Sequence, residues 1–295
     1  MTRLSTIGAF SLLSWLLLPV SAQAQQQNSL LWKVEGKSLT SPSYIYGTIH
    51  YIGKDDFFLR DEVTDALSTT ASSVFEIALD DQEEMSTLTG LLMLPPGTYI
   101  SDFVTPEEYE RIDRYLMDSL GQSIMLYRSM KPFVLGQSIT AGRSFGTETE
   151  SYEMVLMEMA QTNNKKIYGL ESVADQVGFM DSIPYDVQLD WTLEALDHPG
   201  EADTVFPALV RYYKAEDLEG MLQCMLHASP EMQDYGDLLL YNRNATWIPV
   251  MEDMMEEESR FFAVGAGHLP GPKGVLTLLR EAGYTVTPVN NKTHD

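Results

Sequence analysis

Two short stretches repeat one pattern of residue types. "YGTIH" carries Gly47 and His50, and "VGAGH" carries Gly265 and His268, each a glycine three residues ahead of a histidine at the end of an apolar run. Five histidines and 20 glycines in 295 positions give roughly 0.3 such spacings by chance, so two in matching contexts point to placement. Glycine lets the backbone turn or approach closely where a Cβ would obstruct, which frees the imidazole to face a crevice. Glu76 in "VFEIAL" and Glu171 in "YGLES" add carboxylates in comparable surroundings. Two imidazoles with one or two carboxylates suit a divalent transition metal. Such an ion acidifies a water and polarises a carbonyl while a spare carboxylate takes the proton. Taken singly, the same residues read more readily as structural histidines and as solvated or salt-bridged acids; it is their joint placement that brings the functional reading level.

These side chains need rigid supports. "LLWKVEG" and "SYIYGTIH" read as strands, "LRDEVTDALSTT" as a helix with Leu59, Val63, Ala66 and Leu67 on one face, and "SSVFEIAL" as a strand containing Glu76. The same order returns near the other end. There "RFFAVGAGH" is a strand, "GPKGVLTLLREAG" a helix closed by Gly283, and "YTVTPV" a strand. Between them "SYEMVLMEMAQTNN" is helical, "KKIYGLE" is a strand ending at Glu171, and "SVADQVGFMD" starts another helix. "TPEEYERIDRYLMDSLG" shows Thr105 as N-cap, Pro106 at the first helical position and Glu108 as the capping-box acid. "LLLYNRNATWIPVMEDMMEEES" supplies a last long helical region, its run Glu256-Glu257-Glu258 a solvated end. The pattern predicts a single α/β domain over residues 30–290, with a mixed central sheet of βαβ-like units and helical insertions. In such sheets ligands bind in the crevice outside the carboxyl ends of the strands. His50, Glu171 and His268 fall at such ends, and Glu76 lies late in its strand.

Composition narrows the function. A hydrophobic content of 44% with 21% charge is that of a globular protein. Residues 1–24, "MTRLSTIGAFSLLSWLLLPVSAQA", combine Arg3, an apolar stretch and the ending Ala22-Gln23-Ala24, the make-up of a cleavable signal peptide. This predicts export to the periplasm, with full secretion as the alternative. Residues 25–29 read as a short linker and 291–295 as a frayed tail. No later stretch is long and apolar enough for a transmembrane segment. With 43 acidic against 19 basic side chains, net −24, no basic stripe exists for a nucleic-acid partner. The single Cys224 cannot form an internal disulfide, and its place beside Leu218, Met221, Leu222 and Met225 predicts burial. Met251, Met254 and Met255 lie at helical spacing, which favours core packing over copper binding. His198 and His227, beside Pro-bearing turns, read as surface residues. There is no GxSxG elbow, HExxH helix or phosphate loop to support a serine hydrolase, zincin or nucleotide-binding reading.

Over essentially all of the sequence after the leader, the chain resembles the TraB/GumN family, which is related to the Tiki metalloproteases. The resemblance is carried by "YGTIHYIG", "VFEIALD", "LLMLPPGTYISDFVTPEEYERI", "MKPFVLG", "YGLESVADQ", "YNRNATW" and "VGAGHLPGPKGVLTLLREAGYTVTPV". The family's paired GxxH motifs and glutamate fall on Gly47 and His50, Gly265 and His268, and Glu76. Its further acid falls on Glu171 and its Arg-Asn pair on Arg243-Asn244. Where the family has an aspartate ahead of the third strand, this chain has Glu153. The resemblance implies a fold of the erythromycin-esterase and ChaN-like kind. It also implies hydrolysis of a peptide or protein substrate with manganese or cobalt, or alternatively zinc or iron. In that reading His50, His268 and Glu76 bind metal, while Glu76, Glu171 and Arg243 carry catalysis as ligand, base or orienter, and oxyanion or carboxylate partner. Two alternatives use the same residues: a haem- or metal-binding protein without turnover, and an envelope or partner-binding factor with a vestigial site.

Overall fold

Runs of β-branched and aromatic residues become strands. In the computed structural model, which describes residues 28–144, 148–228 and 230–289, these are β1 (Leu31–Glu35), β2 (Ser43–Thr48), β3 (Ile52–Gly53), β4 (Ser72–Phe75), β5 (Thr149–Glu150), β6 (Lys166–Gly169), β7 (Arg260–Gly265) and β8 (Thr285–Pro288). The expected signal peptide over 1–24, linker residues 25–27 and the tail 291–295 lie outside the described residues. Six strands form one mixed sheet in the order β6-β4-β7-β2-β1-β8, while β3 and β5 pair as a separate ribbon. β6, β4, β7 and β2 run parallel, and β1 is antiparallel to both β2 and β8.

Parallel neighbours require long crossovers, and helices provide them. In chain order these are α1 (Asp61–Thr69), α2 (Gln82–Leu91), α3 (Pro106–Leu120), α4 (Pro132–Ser144), α5 (Tyr152–Thr162), α6 (Val173–Asp181), α7 (Tyr185–Asp197), α8 (Pro199–Lys214), α9 (Leu218–Ala228), α10 (Pro230–Gly236), α11 (Asn242–Glu257) and α12 (Val275–Glu281). β7 lies between β4 and β2, which explains why "RFFAV" is apolar without alternation: every residue from Arg260 to Val264 is buried. Ile45, Val74, Phe261 and Phe262 pack in one core with Leu67 of α1, Leu156 of α5 and Trp247 and Met251 of α11. Each such side chain contributes about 1.5–3 kcal/mol by leaving water. A second core of Ile112, Leu116, Leu135, Ile139, Leu189 and Leu193 joins α3, α4 and α7 into the helical insertion.

Local signals hold at several points. Thr105 and Glu108 form the reciprocal capping box of α3, and Gly121 ends that helix at φ +64. Met251 and Met255 are buried, and His198 and His227 are exposed. Cys224, expected to be buried, is only half-buried, because it sits at the margin of the stripe whose centre is Leu218, Met221 and Leu222. The run Glu256-Glu257-Glu258 is exposed as expected, and Glu257 and Glu258 also pair at 2.8 Å with Arg260, whose side chain is 2% exposed and needs neutralisation. Among the described residues no helix is long and apolar enough to cross a membrane.

Candidate functional site

The four parallel strands end side by side, and one candidate residue follows each. His50 lies two residues beyond β2, Glu76 directly beyond β4, Glu171 two beyond β6 and His268 three beyond β7. The first turns of α11 bring Arg243, Asn244 and Trp247 to the same end of the sheet. Gly47 and Gly265 act by close approach rather than by positive φ. A Cβ on Gly47 would stand 2.9 Å from Leu269 Cδ1 and 3.2 Å from the Ala266 Cα, and one on Gly265 would stand 3.2 Å from Glu76 Oε1. The space kept free at Gly265 lets its N–H donate to Glu76 Oε1 at 2.8 Å.

Arg243 gathers the cluster. Its Nη2 donates to Glu76 Oε2 at 2.6 Å and to Glu171 Oε1 at 2.5 Å, and its Nε donates to Glu171 Oε1 at 3.1 Å. Its Nη1 donates to the Leu239 carbonyl at 3.2 Å and faces His268 Nε2 at 3.3 Å. The guanidinium also lies over the Trp247 ring, 5.0 Å from its centroid. Trp247 Nε1 donates to Glu171 Oε2 at 3.0 Å, so both oxygens of Glu171 are engaged. Gln176 donates to Glu76 Oε2 at 3.2 Å.

Asn244 fixes the state of His268. Its Nδ2 donates to the carbonyls of His268 and Lys273 at 3.2 and 2.9 Å, which leaves Oδ1 to accept the His268 Nδ1–H at 2.6 Å. The Nε2 lone pair therefore faces the cluster, 3.9 Å from Glu76 Oε1. Burial pushes the His268 pKa down to about 3, so the ring is neutral. Burial by itself would raise Glu76, but positive charge at His268, at Arg243 and at His50, with the Gly265 N–H, holds it down at about 2. Above about pH 3 the His268 ring is neutral, and Arg243 and His50 are the positive groups that keep Glu76 ionised.

His50 makes no bond to this cluster, although it feels the charges of Glu76 and Arg243. Its Nδ1 meets Glu153 Oε1 at 3.1 Å, and that carboxylate also accepts from Thr48 Oγ1 at 2.6 Å and Ser151 Oγ at 3.2 Å. The bond to Glu153 raises His50 to about 9. The ring is 69% exposed, so solvent screens the pair. Burial works to raise Glu153, but the bonds from His50 and Thr48 bring it below the usual carboxylate value. The sequence marks Glu153 only as standing where the family has an aspartate, with no partner named, and gives Trp247 no signal beyond its place in "YNRNATW"; Asn244 carries one only through its adjacency to Arg243.

Among the described residues, no three His, Cys, Asp or Glu side chains converge on one metal position. The donor chemistry fits a divalent ion all the same. Glu76 is ionised, and His268 presents a neutral Nε2 with its other nitrogen tied to an amide, the arrangement that orients metal-binding histidines. Glu76 Oε1 and His268 Nε2 lie 3.9 Å apart, and these two residues would hold the ion.

The TraB/PrgY/gumN family matches the chain over residues 30–288. Among curated relatives, Metalloprotease TIKI1 of Danio rerio is 23% identical over 90% of this chain and 65% of its own length. Metalloprotease TIKI2 of Danio rerio is 25% identical over 91% of this chain and 62% of its own. Metalloprotease TIKI1 of Homo sapiens is 24% identical over 90% and 62%. The chain thus spans less than two thirds of the length of these relatives. No solved structure matches the chain.

Proposed function

The chain belongs to the TraB/PrgY/gumN family, and from that premise we propose that it is an exported, divalent-metal-dependent hydrolase of peptides or proteins. The observation that carries this reading is the neutral, amide-anchored His268 with its Nε2 turned toward the ionised Glu76. His268, Glu76 and His50 are the residues that would hold the ion. When bound, a manganese or cobalt ion, or zinc or iron in their place, supplies Lewis acidity to a scissile carbonyl and acidifies a water.

The protein's own residues divide the remaining work. Glu171, with both oxygens engaged by Arg243 and Trp247, holds the guanidinium in place and is not free to act as a base. Arg243 stabilises negative charge that develops on a substrate oxygen at the crevice, as a preorganised donor in a water-poor site does. His50 keeps its Nδ1–H on Glu153, and it must shed its other proton before Nε2 can act as a ligand, which couples ion uptake to pH. Residues 1–24, with the make-up of a leader, would direct the chain to the periplasm.

The test is cleavage of a peptide library by the purified protein with manganese or cobalt added, beside His50→Ala and His268→Ala. Turnover that needs metal and is lost in both variants supports the assignment. Turnover that persists in both variants rejects it. Metal uptake with no cleavage of any peptide moves the protein to the binding-protein reading.

A further inference from the structure

The guanidinium of Arg243 occupies the same ground that the proposed ion needs. It donates to Glu76 Oε2 at 2.6 Å, faces the Nε2 lone pair of His268 at 3.3 Å, and spans to Glu171 at 2.5 Å. We infer that Arg243 is a tethered resident cation, which competes with a divalent ion for Glu76 and His268 and so sets how tightly that ion is held. This inference rests on the metal-dependent reading above.

Two buried carboxylates share this single positive group, and the side chains of Arg243, Glu76 and Glu171 are 12%, 12% and 6% exposed. Such charges persist in a water-poor site only when paired. Arg243 meets that need without metal. A divalent ion held by Glu76 and His268 would meet, as a like charge, the guanidinium that already contacts both residues. One of the two must then give up Glu76.

The two ends of Arg243 are not held equally. On one side Glu171 grips it through Nε and Nη2, with Glu171 itself fixed by Trp247, and the Leu239 carbonyl, in the π-helical segment Asp237–Tyr241, takes Nη1. On the other side Glu76 has the Gly265 N–H and Gln176 as further partners, and can release the guanidinium without losing all of its hydrogen bonds. The arginine therefore withdraws toward Glu171 when an ion enters. Arg243 is in this role a positioning residue for the ion, and its effect is on affinity.

The experiment is titration of cobalt(II) into the purified full chain, followed by calorimetry and visible absorption, with folding checked by circular dichroism. Wild type is compared with Arg243→Met, Arg243→Gln, Arg243→Lys and His268→Ala. Loss of the positive charge tightens cobalt binding by at least about tenfold in Arg243→Met, the direction that Coulomb repulsion dictates. Arg243→Gln, which keeps hydrogen-bond donors without charge, gives the same gain should the methionine variant fail to fold. Arg243→Lys keeps the charge and stays close to wild type. Unchanged or weaker binding in a folded, uncharged variant overturns the inference, and so does a lysine variant that binds as tightly as the uncharged ones. Uptake by wild type that is abolished in His268→Ala, with no gain in the glutamine variant, overturns this inference and leaves the metal reading standing. Absence of uptake in every protein overturns both.

Discussion

Replacing Asn244 with alanine removes one small side chain from the centre of the site and strips two buried groups of His268, and the part-buried Lys273 carbonyl, of their partners. The His268 Nδ1–H loses its acceptor, and the carbonyls of His268 and Lys273 lose their donor. Asn244 is 0% exposed, so water does not simply take its place. Leaving a buried polar group unpaired costs about 1–3 kcal/mol. The two buried groups, taken near the lower end because neighbours relax, give a loss of about 2–4 kcal/mol, while the Lys273 carbonyl can turn to water. In a chain of this size 1 kcal/mol moves Tm by about 2–4 °C, so the variant melts roughly 4–16 °C below wild type. The assay is thermal unfolding followed by circular dichroism. Asn244→Asp sharpens the test, since it keeps an acceptor for Nδ1 but turns the two donations into oxygen–oxygen contacts. Its buried carboxylate also draws the His268 pKa upward, readable by NMR. A folded Asn244→Ala protein within 2 °C of wild type would refute the claim that this amide holds the histidine.

Three further outcomes follow from the same geometry. Gly47→Ala forces a methyl against the Ala266 backbone and Leu269, and urea unfolding reads a loss of about 1–3 kcal/mol; no loss contradicts the close approach. Glu153→Gln removes the bond that lifts His50, whose pKa falls from about 9 toward its ordinary 6.5, a shift followed by NMR titration; a pKa that stays near 9 removes Glu153 from its role. Stability also has an acid limb. His268 and Glu76 are held below their ordinary 6.5 and 4.5, so the unfolded chain binds their protons first. Their contributions are present above those ordinary values and are lost as pH falls toward 3 and 2. His50 acts oppositely: its contribution is present below 6.5 and is lost as pH rises through 9, weakly because the ring is exposed. Tm between pH 7 and 4 should therefore fall more steeply in wild type than in His268→Gln, and equal slopes would contradict the buried neutral imidazole.

The sequence carried the strand ends well. Apolar runs that stop at Gly47 and Gly265 mark where a buried strand leaves the sheet, and the residues just beyond them stand at the crevice. What it did not carry was partnership over distance. Arg243 reaches Glu76, 167 positions away, and Glu171, 72 positions away, and nothing in "YNRNATW" names those partners. The order of the sheet was equally hidden, since β7 inserts between β2 and β4 through parallel pairing that leaves no local mark. Glu153 stands at a family acid position, but its partners His50 and Thr48 were hidden, because an acid in the first turn of a helix already has a local explanation in the helix dipole. Glu171 was legible as a strand-end acid, but its commitment to Arg243 and Trp247 was legible only in three dimensions.

The central claim is that the strand-end cluster holds a divalent ion. The most direct measurement is the metal content of the protein, purified without chelator or affinity-tag histidines, beside a His50→Ala/His268→Ala variant. Near-stoichiometric manganese, cobalt, zinc or iron in the wild type, lost in the double variant, is the result expected here. Metal absent from both proteins, even after reconstitution with each ion, would contradict the claim.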